Sequence, residues 1–416
     1  MRRGLDDALM GVWGVRPGEV VTLPPEGAPD SQIWWVPGRL RGELLGTSSS
    51  ARFARALTSS CARSVARGTA RGVPLLAMSG GLDSCALAGI MHRELDVALE
   101  IASIVFPEHP GSDESGAIEL MTEHLGLPVV THAAKHSWFA SGLTRIMGSA
   151  NQSTPALFPS ELFMPTFLKE AAGGSASTIW LGLGADQLLA TLPAHLDPRP
   201  LSRRAVWRRA RARCPLVAHG LSFARHFSRA KPRPHEDLWA RFMMRTTSAS
   251  EGARRSRLEP SAWRQELLWT WSWEASMREL RRTSRALNVP MEAPFLDRAL
   301  WDVVSAMSAA DTWNKRVLRD ASQHNGWAPA TIAHRSKSTF FDAFVAQCLL
   351  DEPRILEALE RDELGRGGYA PRGCALGAWH QWKDATVSRI QRPLWTLRMW
   401  RWISMTLWVE ALDRKR

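Results

Sequence analysis

The 416-residue chain is 45% hydrophobic and carries a net charge of +12, with five cysteines that form no CxxC pair. That length allows two or three domains, and scattered thiols argue for a reducing cytoplasm and against a structural zinc. No apolar run reaches the roughly 18 residues of a membrane span, and Met1-Arg2-Arg3 is not followed by the apolar stretch of a secretory signal.

Residues 1–50 are turn-rich, with a strand expected at 32–37. They are too few to bury a large core, and they precede a larger domain over 51–416. Phe53, Leu57, Cys61 and Val65 recur at helical spacing and predict a helix over 48–71. Leu75-Leu76-Ala77 reads as a buried strand, followed by Ser79-Gly80-Gly81-Leu82-Asp83-Ser84 and a helix over 85–94. Strand signals return at 100–106, 127–132 and 178–184, separated by helical patterns at 115–125 and 161–172. This alternation predicts an α/β fold, a parallel sheet covered by helices on both faces. Ligands of such sheets gather at the carboxyl ends of the strands. Beyond residue 188 the pattern turns helical, at 203–213, 238–250, 261–287, 299–307 and 315–322. A Gly-rich stretch at 361–374 reads as a mobile loop. The Trp-rich tail at 394–412 is amphipathic and fits a packing helix or a partner surface better than a membrane-surface helix.

The string at 79–84 carries the strongest chemical signal. Its glycines permit φ > 0 and close backbone approach, and Ser79 and Ser84 add hydroxyl donors. The amides of Leu82 to Ser84 open a helix and so favour an anion. Asp83 would repel a bare phosphate unless both share a cation, most simply Mg²⁺. The plainer alternative is a glycine turn between strand and helix. No Gly-Lys-Ser/Thr follows, so a γ-phosphate cradle is not indicated. Leu181-Gly182-Leu183-Gly184-Ala185-Asp186-Gln187 offers a second turn with a carboxylate. Pro294-Phe295-Leu296-Asp297 offers a turn in which Asp297 caps the next helix. His334-Arg335-Ser336-Lys337 offers a cation. His132 and His136 are spaced to share a helix face, but without the Glu of an HExxH pattern they make a weak metal pair. Residues 199–233 hold eleven Lys/Arg and no acid, read as a solvated face or a partner surface.

The six-residue string resembles the PP-loop of ATP pyrophosphatases, which implies cleavage of ATP between its α and β phosphates. With the other three strings in this order, the chain resembles the synthetase domain of the asparagine synthetase family over roughly residues 50–412. The resemblance implies a PP-loop sheet of the adenine nucleotide alpha hydrolase-like kind, with a largely helical second half. It implies that Ser79, Gly80, Gly81, Leu82, Asp83 and Ser84 bind the pyrophosphate end of ATP. Val105, Leu181, Gly182 and Gly184 would complete the nucleotide site, and Asp83 and Asp186 would hold Mg²⁺. Lys337 would neutralise phosphoryl charge, and Lys315, in Asn314-Lys315-Arg316-Val317-Leu318-Arg319, would assist it. The attacking amine must lose a proton. Glu274 and Glu279 are candidates for that base, or else members of surface ion pairs.

Departures from the family pattern sharpen the expectation. Glutamine-using members carry an N-terminal glutaminase domain with a Cys after Met; here Arg2 stands there, and residues 1–50 read as a short remnant. Two family glutamates are replaced by Leu183 and Gln187. The first of these sits at the amine site of true asparagine synthetases, so the change argues against free aspartate and ammonia. The β-lactam synthetases and the lasso peptide macrolactam synthetases also vary at that position, and the short N-terminal part and Trp-rich tail look most like the lasso peptide macrolactam synthetases. That resemblance implies a cytoplasmic ligase using ATP and Mg²⁺ on a precursor peptide, with a leader peptidase and a leader-binding protein as partners. Alternatives are another amide ligase of the family, acting on a small molecule or ammonia, and a PP-loop tRNA-modifying enzyme, which the basic stretch would suit. A binding protein with a decayed loop is a third. Nucleic acid and membrane are not the favoured partners.

Overall fold

The computed structural model describes residues 5–6, 13–15, 18–35, 48–68, 72–148, 156, 159–174, 176–189, 271–335, 340–368, 370–384 and 392–413. The helical patterns at 203–213 and 238–250 and the basic stretch 199–233 lie outside them. In the N-terminal part, β1 (Leu5–Asp6) pairs with β2 (Trp13–Gly14), and β3 (Glu19–Thr22) with β4 (Asp30–Ile33), both antiparallel. Trp35 ties this region to the rest of the chain, its indole donating to Asp302 Oδ1 at 3.3 Å.

The organising element is a five-stranded, wholly parallel sheet in the order β7-β6-β5-β8-β9. Its strands are β5 (Pro74–Ala77), β6 (Glu100–Val105), β7 (Val130–Ala133), β8 (Thr178–Leu181) and β9 (Met291–Glu292). Leu76 lies between Ile101 and Trp180 in register, and these three enter one core. Leu75, Ala102, Ile179 and Leu181 enter the other. Successive side chains of a strand point to opposite faces, so short apolar strands feed two helical layers. The first layer holds α1 (Ser49–Gly68), α2 (Leu82–Gly89) and α3 (Ser115–Leu125). The second holds α4 (His136–Gly148) and α5 (Met164–Ala172).

Among the described residues the second half is helical apart from β9, as expected. α6 (Trp271–Leu287) leads into β9, and α7 (Arg298–Ser305) and α8 (Arg316–His324) join the first layer. α9 (Phe341–Leu350), α10 (Glu352–Glu360), α11 (Cys374–Asp384) and α12 (Arg392–Asp413) join the second. Asp297 caps α7 as expected, accepting from the amides of Ala299 and Leu300. The tail is a packing helix: Trp400, Trp402 and Trp408 of α12 are buried, and Trp400 meets Phe344 edge-on at 5.5 Å. Among the described residues no helix is long and apolar enough to cross a membrane.

Three expectations are corrected. The third strand starts at Val130 rather than 127, because Gly126 ends α3 in the left-handed region (φ 66°) and Pro128 has no N–H to give the ladder. His132 lies on β7 and His136 opens α4, so they share no helix face. Among the described residues no group of three or more His, Cys, Asp or Glu is placed to hold a metal. The stretch 361–374 contains a short helix, Glu363–Arg366, anchored by buried Leu364 and by Asp362 Oδ2 accepting from the Gly373 amide at 2.9 Å.

Candidate active site

The loop after β5 is held from both ends. The Met78 amide donates to Ala102 O at 2.9 Å, and Ser103 Oγ donates to Met78 O at 2.7 Å. Ser84 is buried at the start of α2 and staples the loop: its Oγ accepts from the Ser79 amide at 3.0 Å and faces the Ser79 and Gly81 carbonyls at 3.0 and 3.2 Å. In this conformation the Ser84 hydroxyl serves the loop itself. Neither Gly80 nor Gly81 takes a positive φ, contrary to the sequence reading. Gly80 is required for space instead. A Cβ there would stand 2.6 Å from Ala117 Cβ and 3.0 Å from an Arg335 guanidinium nitrogen.

The turn after β8 lies directly against this loop. A Cβ on Gly182 would be 3.0 Å from the Ser84 amide nitrogen and 3.3 Å from Asp83 Cβ. Gly184, at φ 96°, has the backbone that L side chains avoid, and Leu296 closes over it. Asp186 follows in the short helix Ala185–Leu188. Asp83 and Asp186 thereby converge on a single cation, the ammonium of Lys315. Its Nζ lies 2.7 Å from Asp83 Oδ1 and 2.6 Å from Asp186 Oδ1. Burial alone would lower the Lys315 pKa, but the two carboxylate charges outweigh it and the net shift is upward, so the group stays charged.

Lys315 reaches this position through an unusual corner. Asn314 and Lys315 both adopt left-handed φ, 51° and 56°, at a cost of order 1–3 kcal/mol each that the surroundings must offset. Arg319 does so by donating Nε–H to Asn314 O at 2.7 Å and Nη1–H to Ala333 O. The second contact joins the corner to the segment carrying Arg335. Arg335 Nη1 then bonds Glu114 Oε1 at 2.7 Å and Gly80 O at 3.2 Å. Sequence reasoning placed no role on Arg319, Arg335 or Glu114; the Arg335–Glu114 partnership spans 221 positions, and local pattern cannot show it.

The structure thus brings together Ser79 to Ser84, Gly182, Gly184, Asp186 and Lys315. Leu181 ends β8 in register with Ala77. Val105 ends β6, its carbonyl accepting from the Ala134 amide at 2.9 Å. Lys337 lies outside the described residues, as does the side chain of Glu274. Glu279 is taken up by an ion pair, as the alternative reading had it, with Oε1 3.0 Å from Arg145 and Oε2 2.8 Å from Arg282. Two carboxylates that already share a cation fit a Mg²⁺ site, since this ion takes one or two protein carboxylates and fills its remaining positions with phosphate oxygens and water.

A parallel sheet with a Ser-Gly-Gly-Leu-Asp-Ser loop at its central strand, faced by a second acidic turn, defines a PP-loop α/β protein. Comparison places it further: a family model described as asparagine synthase matches residues 56–410, and the chain belongs to that family. Membership makes it an ATP-using enzyme of the amide-ligase kind. No curated protein matches the sequence. Among solved structures the chain is similar to NMN synthetase from Francisella tularensis, at 11% identity over 56% of this chain and 96% of that one. The TM-score is 0.27.

Proposed function

We propose that the protein forms a macrolactam in a precursor peptide, in the manner of a lasso peptide cyclase. A side-chain carboxylate oxygen of the peptide attacks the α-phosphorus of ATP, and pyrophosphate leaves. The peptide's own N-terminal amine then attacks the acyl carbon; AMP leaves and one proton is released for each amide formed. The observation that carries this reading is the convergence of Asp83 and Asp186 on one cation at the ends of β5 and β8. Phosphoryl chemistry needs opposite charge fixed in place before the reaction. Mg²⁺ held by Asp83 and Asp186 would neutralise charge on the phosphates. The α2 amides face the leaving pyrophosphate, Lys315 adds a cation fixed by the Asn314–Lys315 corner, and Lys337 adds another. Leu183, in place of the family's Glu, supports a substrate that brings its own amine. A leader peptidase and a leader-binding protein would supply that peptide, free of its leader. The test is pyrophosphate release with a co-expressed candidate peptide, and mass spectrometry of that peptide for loss of one water. Unchanged release in Asp83→Asn would sink the site assignment.

A further inference from the structure

A cavity of about 420 Å³ opens beside the candidate active site, between α6, β9 and α1. That is within the size range of small-ligand pockets. Leu181, Leu183, Met291 and Leu296 give it an apolar lining. From α6 it receives Met277, Leu280, Arg281, Ser284 and Arg285, spaced by three and four so that they share one helix face. Glu279 is on another face, held by Arg145 and Arg282. The two acids at the rim are spent on arginines of α1: Glu292 Oε2 lies 2.6 Å from Arg67, and Asp297 Oδ1 lies 2.7 Å from Arg63. Among the described residues, no acid is paired with Arg281 or Arg285. The cavity meets the active site through one turn. Leu181 and Leu183 line it, while Gly182 between them lies against Asp83 and Ser84.

We propose that this cavity is the acceptor-substrate site, and that it takes a peptide segment with an apolar side chain seated on Leu183 and an acidic side chain paired with Arg281 and Arg285. This acid is distinct from the carboxylate that is activated. The proposal rests on the amide-ligase reading and names its substrate class. The occupant follows from charge and shape. An apolar floor selects a hydrocarbon side chain, two guanidiniums four residues apart select a planar carboxylate, and the rim carries no uncommitted acid to compete.

The test uses the full chain without ATP and a short fluorescein-labelled peptide with Leu beside a single Glu, against its Gln counterpart. Fluorescence anisotropy is expected to show the Glu peptide binding about tenfold tighter, as one charge-assisted contact supplies. The preference should vanish in Arg281→Gln/Arg285→Gln and survive in part in Arg281→Lys/Arg285→Lys. Both positions are exposed, and circular dichroism confirms that the variants fold. Equal binding of the two peptides by the wild type, or an unchanged preference in the Gln variant, overturns the proposal. Acid-dependent binding with no peptide-stimulated pyrophosphate release once ATP and Mg²⁺ are added supports the cavity and overturns the ligase reading. Release with the same Glu preference in wild type and Gln variant upholds the ligase and overturns the cavity.

Discussion

Replacing Lys315 by Met removes the cation between Asp83 and Asp186 while keeping most of the side-chain volume. Both carboxylates lie within 2.6 Å of its Nζ, so their facing oxygens stand at most about 5 Å apart. At an effective dielectric constant of about 20, two like charges at that distance repel by about 3 kcal/mol. The Asp186 side chain is 51% exposed, and solvent screening brings the expected loss to about 1–2 kcal/mol. In a chain of 416 residues that lowers the melting temperature by only about 1–2 °C. Mg²⁺ without nucleotide should restore the lost degrees in Lys315→Met and raise the wild type less, because in the wild type the ammonium already neutralises the pair. Differential scanning fluorimetry with and without MgCl₂ reads both effects. A variant as stable as the wild type, with the same response to Mg²⁺, would refute the reasoning that these carboxylates form one cation site.

Other outcomes follow from the same geometry. Gly80→Ala drives a Cβ to 2.6 Å from Ala117; the shifted loop should raise the KM for ATP at least tenfold, with about 1–3 kcal/mol lost in denaturant titration. Arg335→Lys keeps a charge but shortens the side chain whose Nη1 joins Gly80 O to Glu114, so kcat should fall more than stability. Burial favours protonation of Asp297, yet bonds from Arg63 and the Leu300 and Ala299 amides hold its carboxyl below the ordinary range. Such a group stabilises the fold above its unfolded pKa and loses that contribution as pH falls through the folded value. Asp297→Ala should therefore cost about 1–2 kcal/mol at neutral pH, and the difference should shrink below about pH 4. Trp400→Ala, in the buried contact with Phe344, should cost about 3–5 kcal/mol; liposome co-sedimentation of the full chain should be absent.

What the sequence made legible was local chemistry. A strand ending in two glycines and an acid permits few uses, and β5, β6, β8 and the loop between Ala77 and Leu82 lie where that pattern puts them. The α3 helix was legible because Gly126 closes it. The size requirement at Gly80 was not, because it is set by Ala117 and Arg335, far along the chain. Nor was the position of Lys315: an Asn-Lys pair in the left-handed region leaves only Asn314 as a signal, and Arg319 holds the corner from outside it. β9 has two residues, too few for any period to register. In α9, buried Ala343, Phe344, Val345, Gln347 and Cys348 spread over more than half of the helix, and Leu349 and Leu350 are apolar but exposed, so helical periodicity is blurred. Glu279 was legible as half of an ion pair through Arg282, three residues on, but not through Arg145, which lies 134 positions away.

The central claim is that Asp83 and Asp186 place ATP for cleavage between its α and β phosphates, in favour of a carboxylate on a peptide. Product analysis tests it most directly. Purified protein with ATP, Mg²⁺ and a co-expressed candidate precursor peptide should yield AMP and pyrophosphate in equal amounts, with one peptide lighter by one water for each AMP. All three products should be lost together in Asp83→Asn and Asp186→Asn. Formation of ADP and phosphate instead, or AMP formation that persists in both variants, would contradict the account.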